Sequence, residues 1–195
     1  MIIRNYKTDD EVGWVRCRVL SFLDTAYYDN VLKNKETYKN PAIELVAVEN
    51  DQIVGLLDIE YDANETTVCT RGEGLGGMIW HIATHPDFQR KGIATKLLKK
   101  AEQMAKEIGL DYLEAWTRDD KWVNKWYEKS RFDKTYSYLH VFAEGKNEVK
   151  EVMKADDPKF KIIQAFAHYA GDQQDDIKAK FKRVHECNCY EKNLK

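Results

Sequence analysis

The chain has 195 residues, 43% hydrophobic and 33% charged, with a formal net charge of -2, which suits one globular domain with a real core. That balance, without a long basic run, gives no push toward nucleic acid. The start "MIIRNYKTDD" lacks the apolar core of a signal peptide and no apolar run approaches spanning length, so no membrane association is expected and the expected compartment is the cytoplasm.

In chain order, "MIIRNY" reads as a strand. Thr8 or Asp9 caps a helix through "EVGWVRCRVLSFLDT", with Val12, Val15, Val19 and Phe22 on one face. "AYYDNVLKNKETYKNP" reads as a second short helical region ending before Pro41. "IELVAVEN" and "QIVGLLDIEY" are apolar, β-branched runs separated by Asn50-Asp51, a hairpin signal. "DANETTVCTRGEGLGG" is a polar, glycine-rich loop, and "MIWHIATH" a strand halted by Pro86. In "GIATKLLKKAEQMAKEI", Ile93, Leu97, Leu98, Ala101, Met104, Ala105 and Ile108 share one helical face, and Gly109 sits at the C-terminal cap. "LDYLEAWT" is a strand, "DKWVNKWYEKS" a helix and "KTYSYLHVFAE" a strand. "DPKFKIIQAFAHYAG" and "DQQDDIKAKFKRV" read as helical, with Phe160, Ile162, Ile163, Phe166, Ala167 and Tyr169 as an apolar set, before a last strand in "HECNCYEKNL".

The stretch "HPDFQRKGIATKLLKK" crowds Arg90, Lys91 and Gly92 into the mouth of a helix. A helix N-terminus carries unpaired N–H groups and partial positive charge, and so makes an anion site. Gly92 lets a ligand approach the backbone closely, Ala94 keeps the next turn small, and Thr95 adds a hydroxyl. A plain turn flanked by solvated cations is the competing reading.

Gln89-x-x-Gly92-x-Ala94, after a strand and opening an amphipathic helix, resembles the acyl-CoA pyrophosphate loop of the GNAT superfamily of N-acyltransferases. "WTRDDKWVNKWYEKSRF" resembles that family's later segment, with Asp119 where the family usually has Asn and Arg131 where it usually has Gly. The resemblance spans about three-quarters of the chain. It implies an α/β (α+β) fold with a mixed, mostly antiparallel central sheet flanked by helices. It also implies acetyl-CoA as co-substrate, with pantetheine between two splayed strands, paired to Ile82 and Thr84. The diphosphate would rest on the N–H groups from about Gln89 to Thr95: Gln89, Arg90, Lys91, Gly92, Ile93, Ala94 and Thr95. Asp119 is carried over with this group. The region of about forty residues after Gly145 has no counterpart in the minimal pattern. One N-acetyltransferase domain is therefore expected over 1–195, as a core of 1–145 plus a final strand at 185–194. A helical insertion at 146–184 would cover the acceptor side or pack against a second subunit in a homodimer.

Acetyl transfer to an amine needs a neutral nitrogen, a stabilised carbonyl oxygen and a proton for the leaving sulfur. Tyr127 occupies the family position of the acid. Glu114, on the strand flanking the cofactor slot, is the first base candidate by resemblance to ribosomal-protein N-terminal acetyltransferases; a solvated strand carboxylate is its plain alternative. His81 has a suitable intrinsic pKa, but alternation turns it away from Trp80 and Ile82 unless a bulge intervenes. A backbone N–H near Ile82 or Ala83 is the natural oxyanion donor. The expected acceptor is a small-molecule amine or a peptide N-terminus, with no metal. The rival reading is a non-catalytic acyl-CoA-binding regulatory module.

Other features carry less. Gly72-x-Gly74-x-x-Gly77 matches a dinucleotide fingerprint in letters but precedes a strand. His185, Cys187 and Cys189 align on one strand face without a fourth ligand, and the four cysteines suggest no disulfide framework. Trp122 and Trp126 face the same way on their helix, as core or as cleft wall.

Overall fold

A computed structural model describes all of residues 1–195. Eight strands form one sheet in the order β1-β2-β3-β4-β5-β8-β6-β7. They are β1 (Ile2–Asn5), β2 (Ala42–Glu49), β3 (Gln52–Tyr61), β4 (Gly76–Thr84), β5 (Tyr112–Thr117), β6 (Asp133–Glu144), β7 (Gln164–Tyr169) and β8 (Arg183–Asn193). Every neighbouring pair is antiparallel except β4 and β5. The β2–β3 turn is the expected one: Asn50 and Asp51 both take positive φ, at 50° and 59°, which the right-handed twist of a two-residue hairpin demands.

The helices are α1 (Glu11–Phe22), α2 (Ile93–Ile108), α3 (Lys121–Lys129), α4 (Gly145–Val149) and α5 (Gln174–Lys180). On one side of the sheet α2 buries Ile93, Leu97, Leu98, Ala101 and Ala105 against Leu45, Leu57 and Leu113. The helix comes so close that a Cβ on Gly55 would stand 2.7 Å from the Ile93 side chain. Gly109 ends α2 with φ 92°. On the other side α1 packs Trp14 and Cys17 against Val46, Leu56 and Ala83. The buried face of α1 is thus Trp14, Cys17, Arg18 and Ser21. Of the expected stripe, Val15 and Phe22 pack on the edge of this cluster, while Val12 is 64% exposed. The tryptophan is the larger apolar payload and sets the rotation.

Two expected helices are corrected. Residues 26–41 form no helix; the side chain of Lys35 turns inward there and its Nζ pairs with Asp58 at 3.0 Å. Residues 164–169 form β7, which covers the otherwise open edge of β6. The apolar set is divided: Ile162 and Tyr169, with Ala165 beside them, pack on a small cluster around Leu139 and Phe181, while Phe160, Ile163 and Phe166 stay exposed. The segment between β6 and β8 therefore carries two short helices and a strand. Arg131 adopts φ 63° at the turn before Phe132, the left-handed conformation glycine takes at no steric cost. No helix is long and apolar enough to cross a membrane.

Candidate active site

β4 and β5 pair only from Gly76–Ile79 to Tyr112–Ala115. Beyond Ile79 the strands part, and the edge of Trp80–Thr84 that faces β5 has no strand partner. A cleft of about 810 Å³ opens there. It runs from this edge to the mouth of α2, where Gly92 caps the helix with φ 75° and ψ 18°. No backbone N–H from Arg90 to Thr95 has an acceptor within the chain; the first helical bond is from Lys96 to the Gly92 carbonyl at 3.0 Å. Arg90 is also left-handed, at φ 60°, and a Cβ on Gly92 would meet nothing within 4 Å. Such a row of free donors, with two cations beside it, is a nest for an anion.

The cleft brings together most of the residues singled out in the sequence: His81, Ile82, Ala83, Thr84, Gln89, Arg90, Gly92, Ile93, Ala94, Thr95 and Tyr127 all line it. Lys91 lies in the same loop with its Nζ 4.6 Å above the Phe88 ring. Trp122 and Trp126 are cleft wall. Tyr127 is 4% exposed. Burial pushes its phenol above the usual range and Tyr190 adds to the shift, so the hydroxyl stays protonated.

Glu114 and Asp119 stand apart from the cleft. Glu114 is fully buried and accepts from the Thr70 and Arg71 N–H groups at 3.1 Å each and from Trp116 Nε1 at 2.7 Å. Its carboxylate therefore anchors the loop before β4, helped by Asp62, which accepts from the Val68 and Gly76 N–H groups. Asp119 is held by His185 Nδ1 at 2.9 Å. The next residue, Asp120, lines the cleft instead and accepts the Ala26 N–H with both oxygens. Cys187 and Cys189 are buried thiols, pushed up to about 11 and about 12 by desolvation.

His81 is turned by a bulge. Ile59 pairs with Ile79 and Asp58 with His81, so Trp80 is skipped and left 48% exposed. His81 then meets a partner the sequence did not announce: its Nε2 lies 2.5 Å from Oε2 of Glu36. Arg18 Nε donates to its Nδ1 at 3.3 Å. Arg18, Glu36, Tyr138 and His140 complete the wall.

Residues 7–132 match the model of the Acetyltransferase (GNAT) family. The chain belongs to this family. A curated relative of this GNAT chain, an acetyltransferase of Pectobacterium atrosepticum, is 28% identical over 138 residues, 68% of this chain and 88% of that protein. A GNAT-family acetyltransferase from Streptococcus pneumoniae shares the fold with a TM-score of 0.61 at 16% identity, covering 100% of this chain and 99% of that one. The PaiA N-acetyltransferase of Thermoplasma acidophilum, solved in complex with coenzyme A, gives a TM-score of 0.54 at 14% identity, covering 69% of this chain and 90% of that one. The free N–H row of this GNAT chain fits an acyl-CoA diphosphate, and the parted strands leave an edge suited to the pantetheine amides.

Proposed function

We propose that the protein transfers an acetyl group from acetyl-CoA to a primary amine by direct attack, with both substrates bound together. The observation that carries this is the continuity of the unpaired β4 edge with the free N–H groups of Arg90–Thr95. Those donors would hold the diphosphate, Arg90 and Lys91 would add positive potential, and Ile82 and Thr84 would pair with the pantetheine amides. Bound acetyl-CoA supplies a thioester carbonyl as electrophile. A backbone N–H near Ile82 or Ala83 stabilises the charge that develops on its oxygen. The Tyr127 hydroxyl donates the proton to the departing sulfur. An alkylamine with a pKa of about 10.4 needs roughly 4.6 kcal/mol to be presented neutral at pH 7, and an α-amine of about 7.8 only about 1 kcal/mol, so the two acceptor classes differ in their demand for a base.

The presence in one cleft of the protonated Tyr127 and the Glu36–His81 pair favours turnover over a silent acyl-CoA-binding module. The test is thiol release from acetyl-CoA across a panel of small amines, amino acids, aminoglycosides and peptides with free N-termini. Release that depends on one acceptor class supports the reading. Binding of CoA with no release for any acceptor defeats it.

A further inference from the structure

We infer that Glu36 receives the acceptor, holding the ammonium of a cationic primary amine at the end of the cleft away from α2, where the nitrogen that reacts gives up one proton to solvent before it attacks; this rests on the acetyltransferase reading above. The argument is one of unmet charge. Arg18 lines this end and Arg118 stands behind it, and both are spent within the chain. Arg18 donates to the Asn30 carbonyl at 2.8 Å, to Asn30 Oδ1 at 3.1 Å and to His81 Nδ1 at 3.3 Å. Arg118 donates to His140 Nδ1 at 3.1 Å and to the Ala26 carbonyl. Asp120 gives both oxygens to the Ala26 N–H. Glu36 differs. Its Oε2 takes His81 Nε2, its Oε1 has no donor in the chain, and its side chain is 46% exposed. The charged groups at this end with unused hydrogen-bonding capacity, Glu36 and Asp120 with its single shared N–H donor, are therefore anionic, and Glu36 is the one with an oxygen that takes no donor. It matches a cation and repels a carboxylate.

The carboxylate is also preorganised. Because Arg18 donates to Nδ1, the ring proton of His81 sits on Nε2 and points at Glu36. The preceding residue, Lys35, is a buried peg with Nζ 4.8–5.2 Å from the ring centroids of Tyr6, Trp14 and Tyr38. It fixes the loop from which Glu36 projects. Trp80, pushed out by the bulge, lines both the main cleft and a side cavity of about 440 Å³, and Glu36 lines both as well. An indole face next to a carboxylate is a favourable surround for an alkylammonium, and the side cavity gives the rest of the acceptor a path out.

The experiment compares acceptors of the same shape and different charge, at neutral pH and saturating acetyl-CoA. Butylamine and 1,4-diaminobutane are cationic there; O-butylhydroxylamine is neutral. Glu36→Gln is expected to raise KM for the two cationic amines about tenfold or more, a loss of about 1.4 kcal/mol. It should leave KM for the neutral alkoxyamine within about twofold, and likewise KM for acetyl-CoA when that is varied at saturating acceptor, and Glu36→Asp should restore part of the cationic preference. Should Glu36→Gln fail to fold, Glu36→Ala carries the same comparison. An equal rise for charged and neutral acceptors, or no rise, overturns the assignment while leaving the acetyltransferase reading intact. A wild type that binds CoA but acetylates no amine overturns that reading, and this inference with it.

Discussion

Tyr127 stacks on Tyr190 with ring centroids 5.1 Å apart and planes at 13°, and the Tyr190 hydroxyl donates to Asn124 Oδ1 at 2.9 Å. The stack ties the proposed acid to the helix that carries it and to β8 behind it. Tyr127→Phe keeps the stack and removes the proton. It is expected to lower kcat by roughly 10²-fold while CoA affinity stays nearly constant. A phenylalanine variant that turns over at full speed removes Tyr127 from the mechanism.

Gly92→Asp places a carboxylate beside the donors of Arg90–Thr95. CoA binding, read by calorimetry, should weaken by about tenfold or more. Gly92→Ala is the control: it bears the same left-handed strain at φ 75° without charge and should bind CoA more tightly than the aspartate variant. Equal affinity of the wild-type and aspartate proteins would show that the diphosphate lies elsewhere.

Glu114→Ala strips the Thr70 and Arg71 N–H groups of their buried acceptor. Stability to urea should fall by roughly 2–3 kcal/mol, and the folded fraction at low temperature should keep kcat within about tenfold of wild type. Unchanged stability combined with a far larger loss of kcat would return Glu114 to the role of base.

Arg131→Gly relieves a left-handed arginine at φ 63°. The relief of roughly 1–2 kcal/mol exceeds the extra chain entropy of glycine, about 0.4–1 kcal/mol. A rise in melting temperature of about 2–4 °C is expected, and a fall would mean that the arginine side chain contributes more than its backbone costs.

His140 is depressed to about 4 by burial, and then by Arg118, His168 and His185; Tyr138 holds its other nitrogen at 3.0 Å. Between about pH 6.5 and about pH 4 the unfolded chain binds this proton and the folded chain does not. The stability contributed by neutral His140 is therefore present above about pH 6.5 and lost as the pH falls. The urea midpoint should drop over that window, and His140→Gln should flatten the drop. An identical pH slope in the variant would place the titration elsewhere.

Much of the anion loop and its helix was legible from residues alone. The α2 stripe, the Gly109 cap, the Asn50-Asp51 turn and the Gly92 mouth are local signals, because helix period, left-handed φ and free N–H groups are set by residues within a few positions of each other. The partition of charged groups around Glu36 and His81 was not. Whether Gln164–Tyr169 is helix or strand depends on the open edge of β6, a partner some twenty residues away in sequence at the Glu144–Gln164 pair. The burial of α1 on Trp14, the bulge at Trp80 and the closure of Lys35 onto Asp58 likewise arise from long-range packing. The sequence by itself determined the locally coded parts, the α2 helix, the β2–β3 turn and the anion loop. Only the tertiary structure decided which carboxylate faces the cleft, drawing Glu114 into the loop anchor and bringing Glu36 to His81, because a charged side chain's role is set by the donors and acceptors that distant segments bring to it.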